Sequence, residues 1–266
     1  MKLLIHYIKV YLIRFKFSFK IFTNSLLNFF IGTFAYMIMQ IGGILFISII
    51  FQQIPQINGF NFYQMLAIYS FAQITKGLDH FYSDYLWFFA SNGVIRGTYD
   101  KYLTRPLNPI FQILIEKVQF DAIGEILIGI LLFSHSIRSL KLSIDIFFIL
   151  KLIFFIICGC IVYTCIKIIG TAFAFFLKRS FNLVRALYSM SEFAKYPLTI
   201  YPKFIRILLT YVIAYSLTGY YPVKYLIIEN LNFFILLKFI LIILFLIYIT
   251  KFIWKEGEKR YESSGS

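Results

Sequence analysis

The chain has 266 residues, of which 60% are hydrophobic and 21% aromatic but only 14% charged, and its mean hydropathy is +0.80. A soluble domain is nearer half apolar and a quarter charged. These values exclude an ordinary soluble globule and point to an all-α polytopic membrane protein, because the apolar runs reach the about 20 residues of a spanning helix and lack the short alternation of a barrel. The net charge of +14 reads as lysines and arginines that set topology and meet anionic headgroups, and no nucleic acid is expected as a partner.

In chain order, residues 1–20 mix Lys2, Lys9, Arg14, Lys16 and Lys20 with Leu, Ile, Tyr and Phe. That pattern predicts an amphipathic helix lying in the membrane interface. No small-residue cleavage site follows it, so no cleavable signal peptide is expected. Span 1 fits within 21–51, and 52–62, with Pro55 and Gly59, reads as a loop. Span 2 runs from about Phe62 past Gly77 and ends among Lys76, Asp79, His80 and Asp84. Lys76, His80 and Asp84 are spaced i,i+4, so they share a helix face and can pair along it.

Span 3 lies in 110–134, with Glu116, Lys117, Asp121 and Glu125 in its first half. Span 4 lies in 144–177, longer than a core of about 30 Å requires, and ends at Lys178-Arg179. Its Cys158, Cys160 and Cys165 read as reduced, packed thiols. Span 5 starts near Phe181 and is broken by Pro197 and Pro202. Span 6 runs from about Leu231 to Trp254, and the polar tail 256–266 should be mobile at its end.

Both termini are rich in Lys and Arg, so both are expected in the cytoplasm, which requires an even number of spans. Treating 204–218 as a helix that dips in from outside and returns gives six spans within 21–255, with a re-entrant region of about 196–222. Arg138, Lys141, Lys195, Lys203 and Arg206 then fall on the outer side.

No GxxxxGK[ST], HExxH, GxSxG or paired-cysteine pattern is present, so no catalytic residue, metal site or bound cofactor is expected. Ionisable groups within spans are costly and usually functional. Glu125 and Asp121 are the transport-path candidates, with Asp79, His80 and Asp84 near them. A proton relay is one reading of these groups; the other, favoured, places them near the cytoplasmic ends of spans 2 and 3, where water reaches them.

The segment from Gly93 to Gln112 is the polar island of the chain. Ile95, Tyr99, Tyr102 and Leu103 form one apolar stripe at helical spacing, with Arg96, Asp100, Lys101 and Arg105 on the other faces. Asn92-Gly93 gives it a start and Pro106 a stop. The spacing predicts an amphipathic helix over about 93–105. It reads equally as a headgroup-anchored loop or as a docking helix for a cytoplasmic partner.

The wording "IRGTYDKYLTRPLNPIFQ" resembles the signature between spans 2 and 3 of ABC-2-type transporter permeases. Arg96, Gly97, Asp100, Leu103, Arg105, Pro106, Leu107 and Asn108 carry it. "FAKYPLTIYP" (193–202) and the ending "WKEGEKRYESSGS" are similar to two further family motifs, in the right order. One departure is Ala214, where the family often has Pro.

The resemblance implies six spans, an N-terminal interfacial helix and a dipping helix between spans 5 and 6. It implies a coupling helix over 93–105 that docks on a separate ABC ATPase through Ile95, Arg96, Tyr99, Asp100, Leu103 and Arg105, with Gly97, Pro106, Pro197 and Pro202 as structural turns. ATP and magnesium would be bound by that ATPase. The permease would work as a dimer with the same chain or a related one, in a bacterial cytoplasmic membrane, exporting a drug, peptide or other amphipathic molecule. Two rivals are an ion-coupled secondary transporter using Glu125, Asp121 and His80, and a membrane enzyme acting on lipids, for which no convergent acid–base or metal groups are present.

Overall fold

A computed structural model describes residues 2–263. Among them the regular structure is entirely helical, and an isolated bridge between Ile57 and Phe60 is the sole β pairing. The long helices are α1 (Lys2–Thr23), α2 (Leu26–Gln53), α3 (Phe62–Ser83), the short α4 (Pro109–Leu114), α5 (Ala122–Ser139), α6 (Ile146–Ala172), α7 (Phe181–Ser189) and α8 (Phe233–Glu258).

Side-chain caps fix where several of them begin. Asn61 Oδ1 accepts from Gln64 N while Gln64 Oε1 accepts from Asn61 N, so two otherwise unpaired N–H groups are satisfied at the start of α3. Asp145 caps α6 and Asn232 caps α8 in the same way, accepting from Phe148 N at 2.8 Å and Ile235 N at 2.9 Å.

Among the described residues, four stretches are long and apolar enough to cross a membrane: Phe29–Gln53, Ala122–Ser139, Ile146–Leu177 and Phe233–Glu258. Two expected spans differ. Helix α3 has 22 residues but carries Lys76, Asp79 and His80, and α7 has only nine residues before the backbone tightens at Met190–Lys195. The third span also starts later than its apolar run, because α4 and an irregular stretch precede Ala122.

Helix α3 is the axis of the protein. Met65 through Thr75 are all buried, so this helix is enclosed on every side. Its most extensive packing is against α5, with α6 on another face. The approach is close: a Cβ on Gly129 of α5 would lie 2.8 Å from Ile74 Cγ1 and 3.0 Å from Ile74 N.

Residues 196–228 are a chain of short helical turns. Tyr196 and Tyr201 are extended, as residues before proline are. Ile213 to Tyr220 are buried, where Thr75 Oγ1 donates to Thr218 O at 3.0 Å and Tyr215 meets Tyr163. The path then returns to Phe60, whose ring meets Tyr220. Ala214 sits in the left-handed region at φ 53°. Proline is locked near −65°, so the residue that departs from the family pattern is one whose backbone here excludes proline.

At the opposite end, α1 runs along residues 108–120. The Tyr7 ring lies 4.6 Å from Phe111, Phe15, Phe19 and Phe22 surround Phe120, and Arg14 pairs with Glu116 at 3.4 Å. The N-terminal helix, the polar island and the C-terminal residues therefore gather at one end.

Candidate functional site

The polar island is not one helix. Phe89–Gly93 is a wide π turn, Gly97 takes φ 64°, and only Asp100–Leu103 makes a further α-helical turn. A positive φ is natural for glycine and stops a right-handed helix. The expected 93–105 helix is thus corrected to two turns joined at Gly97, and its apolar stripe is split. Tyr99 and Tyr102 are fully buried in the chain's own core, whereas Ile95 and Leu103 face outward. Arg96, Thr104, Arg105, Pro106 and Asn108 are exposed beside them.

Tyr99 is an anchor. Its ring packs 5.0 Å from Phe175, 5.0 Å from Tyr261 and 6.2 Å from Trp254, and its hydroxyl donates to Glu258. The tail holds the neighbouring residue as well: Tyr261 Oη donates to Asp100 Oδ1 at 2.8 Å and Ser263 Oγ to Asp100 Oδ2 at 2.5 Å. Burial, and then the bond to Glu258, hold the Tyr99 phenol well above its ordinary value. Burial, and then the Asp100 carboxylate, push Tyr261 up to about 12. Both phenols stay protonated donors at neutral pH. The tail is therefore engaged through Ser263; its last residues, expected to be mobile, are 264–266 and lie outside the described part.

A second polar cluster lies inside the helix bundle. Lys167 of α6 is completely buried and pairs with Asp79 Oδ2 at 2.7 Å and Asp84 Oδ1 at 2.8 Å, while donating to Ser83 Oγ at 2.8 Å. Asp79 also accepts from Ser83, Thr164 and Tyr188 at 2.7, 3.2 and 3.2 Å. His80 Nδ1 lies 2.9 Å from Glu125 Oε2, and Lys76 Nζ lies 2.9 Å from Glu192 Oε1.

Three expectations change here. Lys76, His80 and Asp84 do not pair along α3; each reaches a partner on another segment. Asp79 and Glu125 are enclosed by protein, 0% and 1% exposed, not bathed in water. Asp121 is half-buried beside Gly32, while Glu125 pairs with His80.

A family model described as "ABC-2 family transporter protein" matches residues 37–265, well over half of the chain. The chain belongs to the ABC-2 transporter family. A comparison with curated proteins finds no match.

Members of the ABC-2 family are transport membrane subunits that generally work with an ATP-binding subunit. In this ABC-2 protein, sequence reasoning missed Lys167, Tyr188, Glu192 and Lys195. The one available signal was Lys167 itself, the second of two ammoniums in a 27-residue apolar helix and the one far from its start, where an ionisable residue needs a partner. It also missed the engagement of the tail with Asp100, whose residues are separated by more than half the chain.

Proposed function

We propose that this chain is the permease subunit of an ATP-binding cassette exporter, docked on a separate ATPase through the outward side of residues 95–108. What carries the reading is the arrangement of that segment within an ABC-2 protein: Ile95, Arg96, Leu103, Thr104 and Arg105 are exposed while Tyr99 and Tyr102 are locked in the core. A lever needs a free face for the partner and a rigid root, and this segment has both. Ile95 and Leu103 supply the apolar contact, and Arg96 and Arg105 supply rim charges that set orientation more than affinity.

The root extends into the bundle through Asp84, which holds Lys167 of α6. ATP and magnesium act on the ATPase; its closure moves the segment, and the helices rock as rigid elements between inward-open and outward-open states. In this reading α3 and the 181–195 segment are the two remaining spans, 196–222 is re-entrant, and both termini lie in the cytoplasm of a bacterium. A second permease, the same chain or a relative, completes the path for an amphipathic cargo.

The test is co-purification with the partner ATPase and ATP-driven transport in vesicles. Leu103→Ser and Arg105→Glu should weaken both while leaving thermal stability unchanged; full assembly and full transport in both variants would sink the docking assignment. The buried His80–Glu125 pair favours one alternative, ion-coupled transport, in which a proton gradient without ATP drives uptake or efflux and Glu125→Gln abolishes it.

A further inference from the structure

Two cavities lie end to end along α2. The first, of about 270 Å³, is polar and is bounded by Gln40, Tyr69, Lys76, Glu125, Glu192 and Lys195. The second, of about 390 Å³, is bounded by apolar groups such as Phe46, Ile50, Met65 and Ile200. Tyr196 forms part of both walls. Gly43 of the first and Ile50 of the second are seven residues apart on one helix, about 10 Å at 1.5 Å per residue. The pair makes a head chamber and a tail chamber.

The charges in the head chamber are unequal in mobility. Lys76 and Lys195 both pair with the single carboxylate of Glu192, at 2.9 and 2.5 Å. The two lysine side chains are 16% and 12% exposed, while Glu192 is 51% exposed. Lys76 also faces the Tyr188 ring and Lys195 the Tyr69 ring, which holds both ammoniums in place. The other carboxylate, Glu125, is turned away: Oε2 meets His80, and Oε1 accepts from Gln73 when that amide is oriented to satisfy its neighbours. Glu192 is therefore the acid of this cavity that can swing out, and it would leave two fixed ammoniums facing the cavity.

We propose that these chambers bind an anionic amphiphile, its carboxylate or phosphate taking the place of Glu192 between Lys76 and Lys195 and its chain filling the Phe46–Met65 cavity. Two ammoniums on one anion are charge-assisted bonds, the strong kind, and an apolar chain reaching about two helix turns along α2 supplies the burial. The identity of this ligand as cargo rests on the permease reading; its binding does not.

The experiment uses the full chain in phosphatidylcholine nanodiscs without ATPase, with a dansyl-labelled undecanoic acid as probe and its methyl ester as the neutral twin. The acid should bind with enhanced dansyl emission, and the ester about tenfold or more weaker. Lys76→Gln and Lys195→Gln should each weaken the acid about tenfold and leave the ester unchanged. Glu192→Gln should tighten the acid severalfold, a gain that misfolding cannot imitate, and Ile50→Trp should weaken both probes.

Equal binding of acid and ester by the wild type, or weaker acid binding by Glu192→Gln, overturns the proposal. Added phosphatidylglycerol assigns the source of the anion: displacement of the probe marks a bilayer lipid, and retention marks a single-chain cargo. Loss of ATPase co-purification bears on the permease reading alone, so the two ideas fail separately.

Discussion

Replacing Lys167 by Met keeps all but the last atom of the side chain's reach and removes the positive charge that faces Asp79 and Asp84. Every N–H of the ammonium has an acceptor in the structure: Asp79, Asp84 and Ser83, all within 2.8 Å. Asp79 has no route to water, being 0% exposed, while the Asp84 side chain is 18% exposed. Removing one member of a buried pair costs about 3–5 kcal/mol, because the remaining charge is left desolvated. Ser83, Thr164 and Tyr188 still donate to Asp79, which places the loss toward the lower part of that range. For a chain of this size each kcal/mol lowers Tm by about 2–4 °C, so Lys167→Met should lower the melting point in detergent by roughly 6–16 °C. Adding Asp79→Asn should recover part of the loss, since the orphaned charge is then gone and the three donors keep an acceptor. Asp84→Asn alone should cost much less, because water screens that residue. A Lys167→Met variant that melts with the wild type, or a double variant less stable than the single one, would refute the assignment of a charge-compensated core.

Gly129→Ala should destabilise by about 1–3 kcal/mol, as overpacking does; the new methyl meets the backbone of Ile74 and Ser70 at 3.0 and 3.2 Å, and thermal melting reads the loss. Tyr99→Ala should cost about 3–5 kcal/mol as a large buried ring is removed, whereas Leu103→Ser, on the exposed side, should stay within about 0.5 kcal/mol of wild type; comparable losses would mean that both residues face the same way. Asp100→Asn and Tyr261→Phe should each free the tail by about 1 kcal/mol, seen as about fivefold faster trypsin cleavage after Arg260. The Tyr261 phenol is the donor and its value is raised, so this contact is intact below the ordinary value of 10 and is lost as pH rises through about 12; a tyrosinate titration of wild type minus Tyr261→Phe centred near 10 would mean the tail is free.

What was legible in the sequence was what neighbours in the chain decide. Apolar run length identified the membrane class, and the motifs around Arg105-Pro106 and Tyr196-Pro197 identified the family. Periodicity failed where it assumed an uninterrupted helix: it placed Ile95, Tyr99 and Leu103 on one stripe, but the turn at Gly97 sends Tyr99 inward and leaves the other two outside. It failed again on α3, for the opposite reason. The i,i+4 spacing of Lys76, His80 and Asp84 is real, but α3 is enclosed by several helices, and a desolvated charge takes whichever counter-charge those helices present. Glu192, Glu125 and Lys167 are each more than 40 residues from their partners on α3, a separation at which no local pattern survives. The same physics explains why these residues share one bundle. A membrane interior tolerates a charge only when it is paired, so α3 could become the polar axis only if α5, α6 and the 190–195 segment each brought it a counter-charge. Under the docking proposal, those pairs would tie α3, α5 and α6 to the segment that faces the ATPase. The functional information lies in that pairing rather than in any single charged residue.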